Sequence, residues 1–239
     1  MSKIEEHLSA LRLHGMSHSW KSLQETRRHL ELTLAEGLEI ILQSEHQHRD
    51  QRRFERLQKN ARFRYQASIE ELNLDASRGI NKDLITTLTT GDYLAKGESV
   101  LITGATGCGK SFIASALGHQ ACAQGYKVAY FNVQKLMQKV KIARLEGSII
   151  KFFDKMSKTD LLILDDFGLT HLAQQQQLDL MELIEDRHAR KSTIIASQLP
   201  VASWFDVIGE ATIADAILDR LVHTSHRIEL KGESLRKKL

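Results

Sequence analysis

Apolar positions along this chain follow a helical period at first and then change to short runs separated by amphipathic stretches. Ile4, Leu8 and Leu11 share one helical face behind a capping box of Ser2 and Glu5, and Gly15 reads as the stop. Met16, Trp20, Leu23 and Leu30 predict a second helix ending near Leu32. Thr33 with Glu36 opens a third that meets no breaker before about Arg62. An irregular stretch follows Tyr65, and Asn81 then caps a short helix that ends at Gly91. Beyond it the apolar runs 99–103, 127–131, 161–166, 192–196 and 227–230 read as strands. The segments 112–123, 133–145, 148–156, 174–190 and 211–221 between them read as helices. This alternation predicts a parallel sheet covered by helices on both faces. The expected division is a small all-α segment, 1–64, followed by an α/β domain, 65–239.

Composition adds bounds. A chain of 239 residues, 42% hydrophobic and 26% charged, has room for one full domain and a small one. The two cysteines, Cys108 and Cys122, offer no disulfide framework and fit a reducing, cytoplasmic setting. No signal peptide is recognisable, and no apolar run is long enough to cross a bilayer, so no membrane partner is expected. The net charge of +3 is mild, but its distribution is uneven. Arg49, Arg52, Arg53, Arg56, Lys59, Arg62 and Arg64 face only Asp50 and Glu55. At spacings of three and four, several share one side of the third helix, while Phe54, Leu57 and Ala61 hold the other. Such a stripe is an electrostatic footprint for phosphates, with a merely solvated helix face as the alternative. Lys135, Lys139, Lys141 and Arg144 make a second basic helix. His7, His14, His18, His29, His46 and His48 crowd the first segment without a zinc-like spacing.

The chemistry concentrates at Gly104-Ala105-Thr106-Gly107-Cys108-Gly109-Lys110-Ser111, which matches G-x-x-x-x-G-K-[ST] at every constrained position. Strand before and helix behind is the setting of a phosphate-cradling loop, so Gly104 to Phe112 are expected to bind a nucleoside triphosphate. Lys110 reaches the β- and γ-phosphates, and the Ser111 hydroxyl ligates Mg²⁺. The strand Leu161-Leu162-Ile163-Leu164 ends in Asp165 and Asp166. Asp165 is expected to hold Mg²⁺ with Ser111, and Asp166 to polarise the attacking water as general base. Gln198, at the tip of a neighbouring strand, is a candidate for touching the γ-phosphate or the lytic water. Asn81-Lys82-Asp83 imitates a guanine reader but carries its Asp one place early and precedes the loop, so ATP is expected rather than GTP.

These pieces in this order resemble the IstB-like ATPases of two-gene insertion sequences, relatives of the helicase loader DnaC and of DnaA. The features are 104–111, 161–168 with its Asp pair, 192–200, and Leu218-Asp219-Arg220-Leu221 ahead of 226–230. The resemblance covers nearly the whole chain. It implies an AAA+ core with a five-stranded parallel sheet, in which the strands before the glycine loop and before the Asp pair are adjacent, and no C-terminal lid. It also implies a homo-oligomer on DNA that assists an IstA-like transposase. By position, Gln198 falls at the polar sensor, where Asn is common, and Arg220 at the arginine finger that completes a neighbouring subunit's site. Arg187 is a second trans candidate. A helicase loader, a small-molecule kinase and a nucleotide-gated scaffold remain as alternatives.

Overall fold

The computed structural model describes residues 3–232 and 234–235, so the capping box expected of Ser2 lies outside the described residues. Contacts divide the chain into two units, Met1–Arg56 and Leu57–Leu239. The division falls inside a long helix, earlier than the expected boundary after Arg64. The physical reason is burial: Leu57 and Ala61 are buried, and the segment that follows them packs within the second unit.

The first unit is helical, with α1 (Lys3–Ala10), α2 (His14–Glu25) and most of α3 (Leu34–Ala61). The break between α1 and α2 is made by Arg12, which takes a left-handed φ of 57°. Gly15 is therefore not the stop. It lies buried in the first turn of α2, where a Cβ would come within 2.5 Å of the Ser44 carbonyl oxygen on α3. That close approach lets the buried Glu45 carboxylate accept from the N–H groups of Gly15 (2.8 Å) and Met16 (3.2 Å). A side chain on α3 thus serves two of the N–H groups that a helix start leaves without partners. α2 ends at Glu25 rather than near Leu32, because Arg27 adopts φ 56° and a single tight turn, Arg28–Leu30, follows. The Thr33–Glu36 box forms as the sequence predicts, with the Thr33 N–H donating to Glu36 at 2.8 Å and Glu36 N–H to the Thr33 hydroxyl at 3.3 Å.

The second unit begins with α4 (Lys82–Thr90), capped by the Asn81 side chain, and a one-turn helix α5 (Asp92–Lys96) that the apolar pattern does not announce. Then come β1 (Ser99–Gly104), α6 (Lys110–Ala123), β2 (Val128–Asn132), α7 (Val133–Leu145), α8 (Ile149–Ser157), β3 (Leu161–Phe167), α9 (Gln174–Arg187), β4 (Ser192–Ser197), α10 (Trp204–Ile208), α11 (Ala211–Val222) and β5 (Ser225–Leu230). The five strands form one all-parallel sheet in the order β2-β3-β4-β1-β5. Val100, Ile102, Leu161 to Leu164, Ile194 and Ile195 are completely buried or nearly so, as strands covered on both faces must be. This order inserts β4 between β1 and β3, so the two are not adjacent as the resemblance implied; because all three run parallel, the loop after β1 and the carboxylates of β3 still open on the same edge of the sheet.

α9 stops at Arg187 instead of running to Arg190, and Arg187 itself explains the ending. It is 1% exposed, and its guanidinium donates to the carbonyls of Met156 (2.6 Å), Thr159 (2.8 Å) and Ser192 and to the Thr193 hydroxyl (3.2 Å). Burial draws its pKa down to about 10, which leaves it charged at neutral pH. A guanidinium spent on tying α8, α9 and β4 together cannot reach a neighbouring subunit, so Arg187 is removed as a trans candidate.

Residues 57–65 lie along α6. Phe63 stacks at 4.2 Å on His119, and the imidazole bridges the Gln58 amide (2.7 Å) and the Tyr65 carbonyl (3.2 Å). Gly118 makes room for this: a Cβ there would stand 2.4 Å from the Phe63 ring and 2.9 Å from Ile163. Gly118→Ala is expected to destabilise the protein by up to about 2 kcal/mol in urea unfolding, because an overpacking cost of about 1–3 kcal/mol is offset by a helix-propensity gain of only about 1 kcal/mol. Burial holds the His119 pKa below its ordinary value, partly opposed by its bond to the Tyr65 carbonyl. A histidine depressed in the fold contributes stability above about pH 6.5 and loses it as pH falls through the folded value. Unfolding midpoints should therefore drop between pH 7 and 5, and His119→Gln should flatten that part of the profile.

Candidate functional site

The loop between β1 and α6 is made possible by glycine. Gly104, Gly107 and Gly109 have φ of 144°, 83° and 98°, and a Cβ on Gly104 would sit 2.5 Å from the Leu230 carbonyl oxygen. α6 starts at Lys110, two residues before the expected Phe112, so its first free N–H groups belong to the loop motif itself. Their partial positive charge faces the cavity where a phosphate would lie. Lys110 is buried, with its ammonium donating to the carbonyls of Gly104 and Ala105, both at 2.8 Å. Cys108 is fully buried beneath the loop, its thiol donating to the Ala105 carbonyl, and its own carbonyl accepts from Arg78 at 2.6 Å.

Opposite the loop, β3 delivers Asp165 and Asp166 through a bulge. Leu164 pairs with Ile195 and Phe167 with Ser197, so two aspartates on β3 oppose the single residue Ala196 on β4. Bulges re-aim side chains, and they gather beside active sites. Asp166 adopts a left-handed φ of 58°, a conformation that short polar side chains tolerate best. Asp165 is 1% exposed, and its carboxylate is saturated with donors. One oxygen accepts from the Ser111 hydroxyl (3.0 Å) and the Asp166 N–H (2.9 Å); the other accepts from the Tyr130 hydroxyl and from Arg64 (3.3 Å). Burial and then the Asp165 charge push the Tyr130 pKa up, so this phenol stays a donor. Asp166 accepts from Arg64 at 3.1 Å and from the Asn132 amide at 2.9 Å.

The donor set suits a hard divalent cation. Ser111 and Asp165 offer neutral and anionic oxygens within one hydrogen bond of each other, and Arg64 already places positive charge against the same carboxylates. Ser111 and Asp165 are the residues that would hold Mg²⁺, where it would neutralise charge developing on the phosphates.

A cavity of about 310 Å³ is lined by Thr106, Gly107, Gly109, Lys110, Ser111 and Phe112 together with Asp166 and Gln198. Gln198 accepts from the Thr106 hydroxyl at 2.7 Å, which places its amide over the loop. Ser111, Asp166, Gln198 and part of the loop thus border one space, while Asp165 lies behind Ser111 and is not among the residues lining it. Arg220 is not among those lining it. It sits on α11, pairs with Glu185 of α9, and donates to the Ala216 carbonyl at 2.9 Å. The basic residues Arg49, Arg52, Arg53, Arg56 and Lys59 are exposed on α3, but Arg49 is also bound to Glu45 at 2.8 Å.

Several site residues escape the sequence reading. Arg64 reads as part of the cationic stripe, yet α3 ends at Ala61, Arg62 turns through φ 59°, and Arg64 points to the aspartates. Tyr130 and Asn132 read only as strand and cap. Ser234 and Leu235 belong to the tail beyond the last predicted strand, yet the Leu235 N–H donates to the Gly107 carbonyl at 3.0 Å. The remainder of that tail, Glu233 and 236–239, lies outside the described residues. The break in helical period after Ala61 is the one sequence signal that could have redirected Arg64.

Comparison with known proteins bears on the family and the fold. The family model of the IstB-like ATP binding protein matches residues 6–239. A protein of Sinorhizobium fredii named as an insertion sequence ATP-binding protein is 40% identical over 96% of this chain and 94% of its own length. Another, from Pseudomonas fluorescens, is 40% identical over 81% of this chain and 84% of its own. Among solved structures, the DnaC helicase loader matches with a TM-score of 0.54 and 22% identity, over 66% of this chain and 96% of that one. The replication initiator DnaA bound to AMPPCP and single-stranded DNA matches with a TM-score of 0.59 and 18% identity, over 72% of this chain and 52% of that one. At these identities the structural likenesses establish the fold alone, a five-stranded parallel sheet flanked by helices. By the family model and its insertion-sequence relatives, this chain belongs to the IstB-like ATP-binding proteins of insertion sequences.

Proposed function

We propose that the protein is a Mg²⁺-dependent ATPase that assembles with copies of itself on duplex DNA and recruits or activates a transposase. The carrying observation is the β3 bulge, which seats Asp165 on Ser111 and sets Asp166 beside it, facing the loop cavity. Ser111 and Asp165 hold the cation, and Lys110 leaves its loop carbonyls to meet the phosphates. Asp166 takes the proton of the attacking water, while Asn132 and Arg64 fix its carboxylate. Gln198 orients the γ-phosphate or that water from above the loop.

Arg220 completes the site of a neighbouring subunit in this reading. Its Nε is buried without a hydrogen-bond partner among the described residues, and its Glu185 partner is half exposed, so the pair is open to exchange at a subunit contact. Coupling hydrolysis to assembly follows, since the finger acts only from a neighbour. The relatives' names place them in insertion sequences, which favours transposition over the helicase loading suggested by the DnaC likeness. Replicative helicase in place of transposase in a pull-down would reverse that choice. The exposed Arg52, Arg53, Arg56 and Lys59 supply phosphate contacts to DNA. No helix among the described residues is long and apolar enough to cross a membrane.

Asp166→Asn keeps a side chain that tolerates left-handed backbone, so it should bind ATP normally while hydrolysis falls by about 100-fold or more. Arg220→Ala should bind ATP equally well and lose a comparable factor, recovering when mixed with Asp166→Asn subunits that donate an intact finger to its sites. Normal turnover by pure Arg220→Ala would remove Arg220 from the mechanism. For DNA, the triple change of Arg52, Arg53 and Arg56 to Glu should weaken duplex binding and reduce the log–log salt slope by about 0.9 for each phosphate that is no longer neutralised. An unchanged slope in fluorescence anisotropy would move the DNA surface elsewhere.

A further inference from the structure

Beside the nucleotide cavity lies a second one, of about 520 Å³, and its walls carry a different chemistry. Arg62, Arg64, Lys135 and Lys139 line it with Tyr130, Phe131 and Asn132, and Asp165 and Asp166 form its inner wall. Four cations therefore meet two carboxylates. Those carboxylates are already satisfied by Ser111, Tyr130, Asn132 and Arg64, so the charge of Arg62, Lys135 and Lys139 is left over. Lys135 stands in the first turn of α7 and Lys139 one turn further on, with its ammonium 5.1 Å from the centre of the Phe131 ring. The positive end of that helix adds to the same potential.

We propose that this cavity is a second phosphate-binding site, taking a phosphate group through Arg62, Lys135 and Lys139 with Arg64 as a shared wall. The bound group is dianionic or monoanionic phosphate, held by charge-assisted hydrogen bonds from guanidinium and ammonium. Two sources offer that chemistry: inorganic phosphate leaving the adjacent nucleotide site, and a phosphodiester of a nucleic-acid strand. The site communicates with the first because Arg64 and Asp166 line both cavities. Asn132 reinforces the link, since its amide oxygen caps α7 at Gln134 (3.1 Å) and Lys135 (3.3 Å) while its amide nitrogen holds Asp166 (2.9 Å). A phosphate settling against Lys135 thus acts on the residue that positions the proposed base. This assignment does not require the DNA reading of α3, and it stands or falls separately.

The test fills the loop with saturating ADP and titrates inorganic phosphate, followed by ³¹P NMR, and separately a duplex oligonucleotide, followed by anisotropy. The variant carries Arg62→Ala, Lys135→Ala and Lys139→Ala; all three side chains are exposed, so folding should survive, and unchanged ADP affinity confirms it. A control with Lys96→Ala, Lys151→Ala and Lys155→Ala removes the same charge from other exposed positions. Loss of phosphate binding by about tenfold in the variant alone assigns the pocket to the product. A tenfold loss confined to the oligonucleotide, with a smaller salt slope, assigns it to a strand. Binding of both ligands unchanged, or weakened equally in the control, overturns the proposal. The α3 triple variant serves as a reference, because it should lose duplex binding without losing inorganic phosphate.

Discussion

One buried carboxylate holds the arrangement together. Asp165 is almost wholly removed from solvent, and an ionised carboxylate in that position is costly unless its oxygens are satisfied. It receives hydrogen bonds from α6 through Ser111, from β2 through Tyr130, from its own strand through Asp166 N–H, and from Arg64. The loop helix, the edge strand and the segment after α3 are each tied to this one group. Remove any donor and the others must carry more of the desolvation cost. A cation held by Asp165 and Ser111 would replace some of these donors rather than organise the pocket by itself.

Arg64 reaches those carboxylates only because residues 57–65 are docked on α6. Phe63 occupies the space that Gly118 leaves, and His119 fixes the turn through Gln58 and Tyr65. Here a glycine in a helix, unfavourable by local propensity, is explained by what it admits. The same logic holds in the first unit, where Gly15 permits the close approach that brings Glu45 to the start of α2. Both glycines look like breaks in a one-dimensional pattern, and both are close approaches in three dimensions.

The parallel sheet, the loop and the aspartate pair were legible in the sequence because each rests on local signals: strand runs, glycine spacing and caps. Asn81, Asn132 and the Thr33–Glu36 box behave as their local chemistry predicts. What stayed hidden depends on long-range geometry. The bulge at Asp165 and Asp166 arises from register between β3 and β4, which no single strand reveals. Arg64 and Arg187 are cations like their neighbours until burial decides their partners: one faces Asp165 and Asp166, the other holds four groups of the core. Charge counted along a chain cannot separate a surface cation from an interior tie.

The central claim is that the Ser111–Asp165 pair is a cation site held ready by Arg64 until a nucleotide brings its metal. A crystal structure with Mn²⁺ and AMPPCP, read by anomalous scattering, tests it most directly. The account predicts one manganese peak between the Ser111 hydroxyl and the Asp165 carboxylate, with the Arg64 guanidinium withdrawn from both aspartates. A manganese peak away from this pair, with Arg64 still seated on Asp165 and Asp166, would contradict it.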